Sequence, residues 1–253
     1  MSSVTKLLSI LDFFSTETPL LTAEEIISKL GCSRPQGYRY IRELFGRGYL
    51  TRFAGAYSLG PKIIELDFFI REEDPVLRIS KPLIRDLRNR LECDIALVKI
   101  FGDHLIAVHH EYFLEPNLIA FGRGRPMPMF RGSVWKVIMA NLPGTRQKQL
   151  VERYPDAVRT STFGHTWEEM RANLKKIQKA GYALSVAEAD QLNGGISVPI
   201  LGDDPHVPPS ALVLIMPRAR YETSNIEMLA QIMKSSAAEI SQSLRLPSLV
   251  STK

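Results

Sequence analysis

Arg34, Gln36, Tyr38, Arg39, Tyr40, Arg42 and Arg52 lie within one short stretch and carry the side chains that read nucleic acid. Arginine pairs with a guanine edge and glutamine with an adenine edge, while further arginines hold phosphates. Between residues 34 and 52, Arg34, Arg39, Arg42, Arg47 and Arg52 face only one acid, Glu43. That local positive excess attracts a polyanion.

Such side chains need a rigid mount, and residues 21–60 read as one. Thr22 with Glu25 forms a capping box, and Ile26, Ile27 and Leu30 then recur on one helical face. Gly31 ends that helix in the left-handed region. Ser33 is placed to cap a second helix, with Pro35 in its first turn. Ile41, Leu44 and Phe45 make the inward stripe of this second helix. Arg34, Gln36, Arg39, Tyr40 and Arg42 are left on or beside its outward face. Strand-like runs at 48–53 and 56–59 flank Gly55, with Arg52 near the tip. The expected unit is a winged helix-turn-helix, whose second helix suits a major groove. An ordinary solvated helix is the plainer reading of the charges, and the hairpin argues against it.

Before this stretch, Val4, Leu7, Leu8, Leu11 and Phe14 predict a helix over 3–15. After it, Pro61 opens a helix more apolar than one buried face requires, with Ile63, Ile64, Leu66, Phe68, Phe69 and Ile70. Either two domains sandwich it or a second subunit covers it. Pro75 breaks it. The expected organisation is a DNA-binding domain over 1–60, a linker helix over 61–75 and a second domain over 76–253. In the last, strands are expected at 94–101, 105–112, 118–122, 182–188, 195–201 and 211–216. Helices gathered to one side of them would make an α+β fold. Asn193-Gly194-Gly195 reads as a tight hairpin turn, although its backbone N–H groups can also face a carboxylate.

The chain has 253 residues, 45% hydrophobic and 23% charged, with a net charge of +5, the balance of a soluble globular protein. Cys32 and Cys93 give neither a disulfide framework nor metal spacing. No apolar run is long enough to span a membrane and no signal-peptide pattern opens the chain. A reducing cytoplasm is the expected compartment, with no membrane association.

Four motifs together resemble the isocitrate-lyase-regulator (IclR) family of transcription regulators, nearly end to end. They are Arg39-Tyr40-Ile41 with Leu44 and Gly48-Tyr49-Leu50; then Tyr57-Ser58-Leu59-Gly60-Pro61-Lys62; then Gly124-Arg125-Pro126-Met127-Pro128 with Lys136; and finally Gly181-Tyr182, Glu188 and Ser197-Val198-Pro199-Ile200. The resemblance implies a GAF-like effector-binding domain with an antiparallel sheet, and a homodimer or dimer of dimers on an operator of double-stranded DNA. It also implies control of catabolic genes by a small organic acid. Carried across by motif, the effector site falls on the loop 124–136 and on strands 182–188, 195–200 and 211–216.

Departures from the family pattern shape the expected ligand. Trp135 stands where the family has glycine, the acidic cluster thins to Ser185, Glu188 and Asp190, and residues 211–216 carry no hydroxyl. An apolar pocket for an aromatic carboxylic acid is therefore expected ahead of one for a short 2-oxo acid. Its candidate residues are Arg123, Arg125, Met129, Phe130, Arg131, Trp135, Ser185, Glu188, Gly195, Val213 and Ile215. Phe130 and Trp135 can stack on a ring and the arginines can pair with a carboxylate. Trp135 as a core anchor and the arginines as surface charges are the plainer readings.

Two other classes fare worse. A hydrolase would draw on Ser133 or Ser197 with His109 and Glu188, yet neither serine sits in a Gly-x-Ser-x-Gly elbow. No phosphate or dinucleotide loop calls for a cofactor. His109 and His110, adjacent on a strand, point to opposite faces, so no metal site is expected. A winged helix used as a protein-binding scaffold would tolerate fewer like charges.

Overall fold

The computed structural model describes residues 2–113, 122–204 and 207–245. Its contacts divide the chain into two units between Asp74 and Pro75.

The first unit runs α1 (Ser3–Ser9), a 3-10 turn (Leu11–Phe13), α2 (Ala23–Leu30), α3 (Arg34–Gly46), β1 (Leu50–Phe53), β2 (Ala56–Leu59) and α4 (Lys62–Glu73). This is the expected winged helix-turn-helix. The helix expected over 3–15 stops early, and the tighter turn after it points Ile10 into the core. Ile10 is fully buried, whereas Val4 and Leu8 are 65% and 54% exposed. At Thr22 both bonds of the capping box form, and Gly31 closes α2 with φ of 57°. Ser33, by contrast, makes no side-chain bond to α3, so that helix begins at Arg34, with Pro35 in its first turn, without its expected cap.

Helices α2 and α3 approach closely at Gly37, where an added Cβ would fall 2.3 Å from Ile27 Cγ1. Ile26, Ile41, Leu44 and Leu50 fill the space beneath. The hairpin pairs Leu50 with Leu59 and Phe53 with Ala56. Its turn residues Ala54 and Gly55 have φ of 49° and 85°, the left-handed pair that a two-residue hairpin needs. Leu21 and Tyr57 exchange two backbone hydrogen bonds, 2.9 and 2.7 Å, which tie the wing to the lead-in of α2.

The second unit opens with α5 (Pro75–Leu91) and the hairpin β3 (Asp94–Phe101) and β4 (His104–Glu111). A short strand β5 (Pro126–Met127) follows. Then come α6 (Ser133–Ala140), α7 (Gly144–Arg153), α8 (Pro155–Arg159) and α9 (Trp167–Ala180). Strands β6 (Ala183–Val186), β7 (Asn193–Ile200) and β8 (Ser210–Pro217) precede α10 (Arg218–Thr223) and α11 (Ile226–Leu244). The six strands form one antiparallel sheet in the order β5-β4-β3-β8-β7-β6.

Two expectations change here. Helices cover both faces of the sheet, rather than gathering to one side. Ala96, Val98 and Val213 pack with Trp135, Ile138 and Leu174 of α6 and α9. Ile95, Leu97, Leu212 and Leu214 pack with Ile84, Leu87, Met233 and Ile240 of α5 and α11. The reason is in β3 and β8 themselves: both alternate sets of side chains are apolar, so both faces must be covered. Second, Asn193-Gly194-Gly195 is not the hairpin turn. These residues begin β7, with Gly194 opposite Val186 and Gly195 opposite Ser185. The chain reverses before them, beyond Ala187, whose φ is 54°. The strand expected at 118–122 lies, apart from Gly122, outside the described residues; the short strand β5 pairs with β4.

Candidate nucleic-acid and ligand sites

Helix α3 buries Gly37, Tyr40, Ile41 and Leu44, the i, i+3, i+4, i+7 set of one face. Tyr40, expected on the outward side, is therefore a core residue at 3% exposure. Its ring supplies apolar area and its hydroxyl accepts a 2.8 Å hydrogen bond from Gln36 Nε2. Phe45, expected inside, is 48% exposed and meets Tyr57 edge-on.

Arg34, Arg39, Arg42, Arg47 and Arg52 are all exposed. Arg39 lies over the Tyr40 ring and Arg52 over the Tyr57 ring, 5.5 and 5.9 Å from the centroids. Arg47 pairs with Glu43 at 3.6 Å across an exposed helix surface, a weak contact that water and salt screen. Tyr38 donates a 2.8 Å hydrogen bond to Glu24 Oε1. That bond is the main reason the Glu24 carboxyl is held below its usual range and the Tyr38 hydroxyl above its own. The first unit thus presents a cluster of solvated guanidinium groups with one tyrosine and one half-buried glutamine among them.

The second unit contains a small cavity between α6, β6, β7 and β8. It has about 50 Å³ of room for water centres, against the ~10–15 Å³ that one water needs. Of the residues expected there, Arg131, Ser185, Gly195, Val213 and Ile215 line it. Strand alternation explains the last two, because Leu212 and Leu214 point to the opposite face. Met127 and the start of α6, Gly132, Ser133 and Val134, complete one wall. Ala189 and Asp190 with Asn193 and Gly194 complete another.

Met127, Gly132, Ser133 and Val134 fall in the loop 124–136 that the family resemblance marks, whereas Ala189, Asp190, Asn193 and Gly194 lie between the two strands expected to hold the site. Ser133 is also the nucleophile candidate of the hydrolase reading. Asn193 and Gly194 were weighed through their backbone N–H groups, which was the usable signal.

The other expected ligand residues lie elsewhere. Trp135 is fully buried and Phe130 is 3% exposed, and neither lines this cavity. Trp135 packs edge-on against Phe163 at 5.0 Å, and Phe130 sits against Trp135 at 5.2 Å and Tyr154 at 6.0 Å. Both rings fill the core between α6 and its neighbours, which is where the largest apolar side chains gain most. Met129 packs against the same cluster. Arg123 Nε donates to Val108 O at 2.8 Å and, like Arg125, does not line the cavity. Glu188 is turned toward α6. Lys136 Nζ donates to it at 2.7 Å and Gly132 N at 3.2 Å, while Arg131 Nε donates to its backbone oxygen at 2.8 Å. It is a clamp on the loop after β6, not a wall of the cavity.

The serines of the hydrolase set do meet, but with each other. Ser133 Oγ and Ser197 Oγ are 2.7 Å apart and buried. His109 instead bonds Glu111 at 3.1 Å on its own strand, and burial, partly offset by that carboxylate, holds its imidazole below the usual range. His110 goes to buried Asp94 at 2.9 Å, so the adjacent histidines do part to different partners. Among the described residues no group of three His, Cys, Asp or Glu is placed to hold a metal ion, and no helix is long and apolar enough to cross a membrane.

Two family models match the chain. One, described as the IclR helix-turn-helix domain, covers residues 3–52. The other, described as the bacterial transcriptional regulator IclR C-terminal region, covers residues 70–242. The HTH-type transcriptional regulator KipR of Bacillus subtilis (strain 168) is 24% identical over 247 residues, 96% of each chain. Among solved structures, an IclR-type transcriptional regulator from Alicyclobacillus acidocaldarius superposes with a TM-score of 0.79 at 19% identity, covering 96% of this chain and 98% of its own. An IclR homolog from Microbacterium hydrocarbonoxydans, solved in complex with 4-hydroxybenzoate, gives 0.74 at 19% identity, covering 96% and 99%.

Proposed function

The chain belongs to the IclR family of bacterial transcriptional regulators, and from that premise we propose that it binds a double-stranded operator as a homodimer or dimer of dimers, under control of a small aromatic carboxylic acid. Helix α3 enters a major groove, with Gln36 and Tyr38 at its start beside the bases. Arg34, Arg39, Arg42 and Arg52 hold phosphates, which makes affinity steeply dependent on salt. Arg39→Ala should weaken binding to every sequence and lower the salt slope by about one unit, whereas Gln36→Ala should change base preference. Equal, sequence-independent losses from both would remove Gln36 from readout.

The observation that carries the effector reading is the wall of the cavity. Val213 and Ile215 offer an apolar floor for a ring, Ser133 and Ser185 offer hydroxyls, and Arg131 stands at the lining as a cation for a carboxylate. The ligand must favour one relative arrangement of the DNA-reading heads, since it shifts an equilibrium only by its differential affinity for the two states. The 4-hydroxybenzoate bound by the Microbacterium homolog makes hydroxybenzoates the first probes. Small volume and paired hydroxyls favour, as the second reading, a short 2-oxo acid. A thermal-shift series with benzoates, hydroxybenzoates, phenylacetate and pyruvate separates the two. The midpoint should climb with concentration for aromatic acids. A climb with pyruvate alone would transfer the cavity to the aliphatic class.

A further inference from the structure

The wing ends in residues that the reading above leaves idle. Phe53, the last residue of β1, is 68% exposed. Beyond it the chain turns through Ala54 and Gly55 and returns at Ala56, directly opposite Phe53. Arg52 is drawn back over the Tyr57 ring, and strand alternation sends it and Phe53 to opposite faces of the hairpin. The tip is thus one bare aromatic ring followed by nothing larger than a methyl group. A phenylalanine stabilises a fold through the area it buries, and this one buries little. Its neighbours indicate what could cover it: the exposed Arg34, Arg39, Arg42, Arg47 and Arg52, with only Glu43 among them between residues 34 and 52, form a local positive patch that attracts a polyanion.

We propose that Phe53 is an apolar wedge that the wing sets into the minor groove next to the site of α3, against the sugars and edges of one base step. The inference rests on the DNA reading of the first unit. Minor-groove proteins use such side chains to part a base step and bend the duplex, a contact that recruits no phosphate. A hairpin tip with no bulk beyond Phe53 suits a groove only ~6 Å wide.

The test uses the full chain and duplexes that the wild-type protein selects from a random library. Binding is measured from 50 to 300 mM salt, and bending by the mobility of circularly permuted fragments. Phe53→Ala should weaken binding about tenfold, reduce the bend and leave the salt slope unchanged. Arg52→Ala should instead flatten that slope by ~0.9. Phe53→Leu should recover most of the affinity. Wild-type affinity and bend in Phe53→Ala would overturn the proposal. So would a loss accompanied by a lower sedimentation mass, which would give Phe53 to contact between copies. Failure of the wild-type chain to select any duplex would instead overturn the DNA reading itself, and the wedge with it.

Discussion

Lys136 is a buried ammonium with two acceptors: the Glu188 carboxylate at 2.7 Å and the Leu184 carbonyl at 3.0 Å. Its side chain is 8% exposed and that of Glu188 is 27% exposed. Removing one partner of a buried pair leaves the other charge desolvated, which is where most of the penalty arises. Glu188→Ala is therefore expected to lower unfolding free energy by about 2 kcal/mol, less than for a wholly buried pair because water reaches part of the carboxylate. Urea unfolding measures it. A change within ~0.5 kcal/mol, the ordinary range for a surface site, would mean that the clamp is idle. The same residue scale explains why Trp135 was ambiguous in the sequence. A large indole suits a ligand face and a core equally well, and only the surrounding Phe130 and Phe163 decide between them.

At the scale of the element, the root of the wing depends on how closely two backbone segments pass. Gly60 N donates to Tyr49 O at 2.8 Å, and a Cβ on Gly60 would lie 2.2 Å from Gly48 O. Backbone cannot yield as a side-chain end can, so Gly60→Ala should destabilise the first unit by about 1–3 kcal/mol and weaken DNA binding with it. Gly46 is the control: it sits in α3 with nothing within 4 Å of an added Cβ. Gly46→Ala should be neutral or stabilising by up to ~1 kcal/mol. Equal melts for the two variants would refute the close-approach argument. The capping box, the Gly31 stop and a hairpin around Gly55 were legible here, because each involves residues close to one another along the chain; the left-handed φ of Ala54 was not.

At the scale of the whole molecule, α4 is the unexplained surface. None of its residues is buried, and Ile64, Phe68, Phe69 and Ile70 are 71%, 53%, 51% and 57% exposed. Contiguous apolar area of this kind marks a contact surface, to be covered by the rest of the chain or by a second copy of it. If α4 pairs copies of the chain, Ile64→Glu with Phe68→Glu should lower the mass in sedimentation equilibrium while each unit keeps its circular-dichroism melt. DNA affinity should fall too, because two linked half-sites bind far more tightly than two separate ones. An unchanged mass would remove α4 from assembly.

What the sequence determined by itself was the kind of unit at each end and the family. Caps, helical stripes, strand alternation and ordered motifs are local patterns, and local patterns follow from backbone geometry. It also contained the two-faced apolarity of β3 and β8 that sends helices to both sides of the sheet. The tertiary structure alone decided which side chains share a cavity. Ser133 meets Ser197 across 64 positions and Gly132 meets Glu188 across 56, and no period or spacing encodes those meetings. It also put Phe130 and Trp135 in the core rather than in the lining of that cavity, where their large apolar surfaces pack against Tyr154 and Phe163.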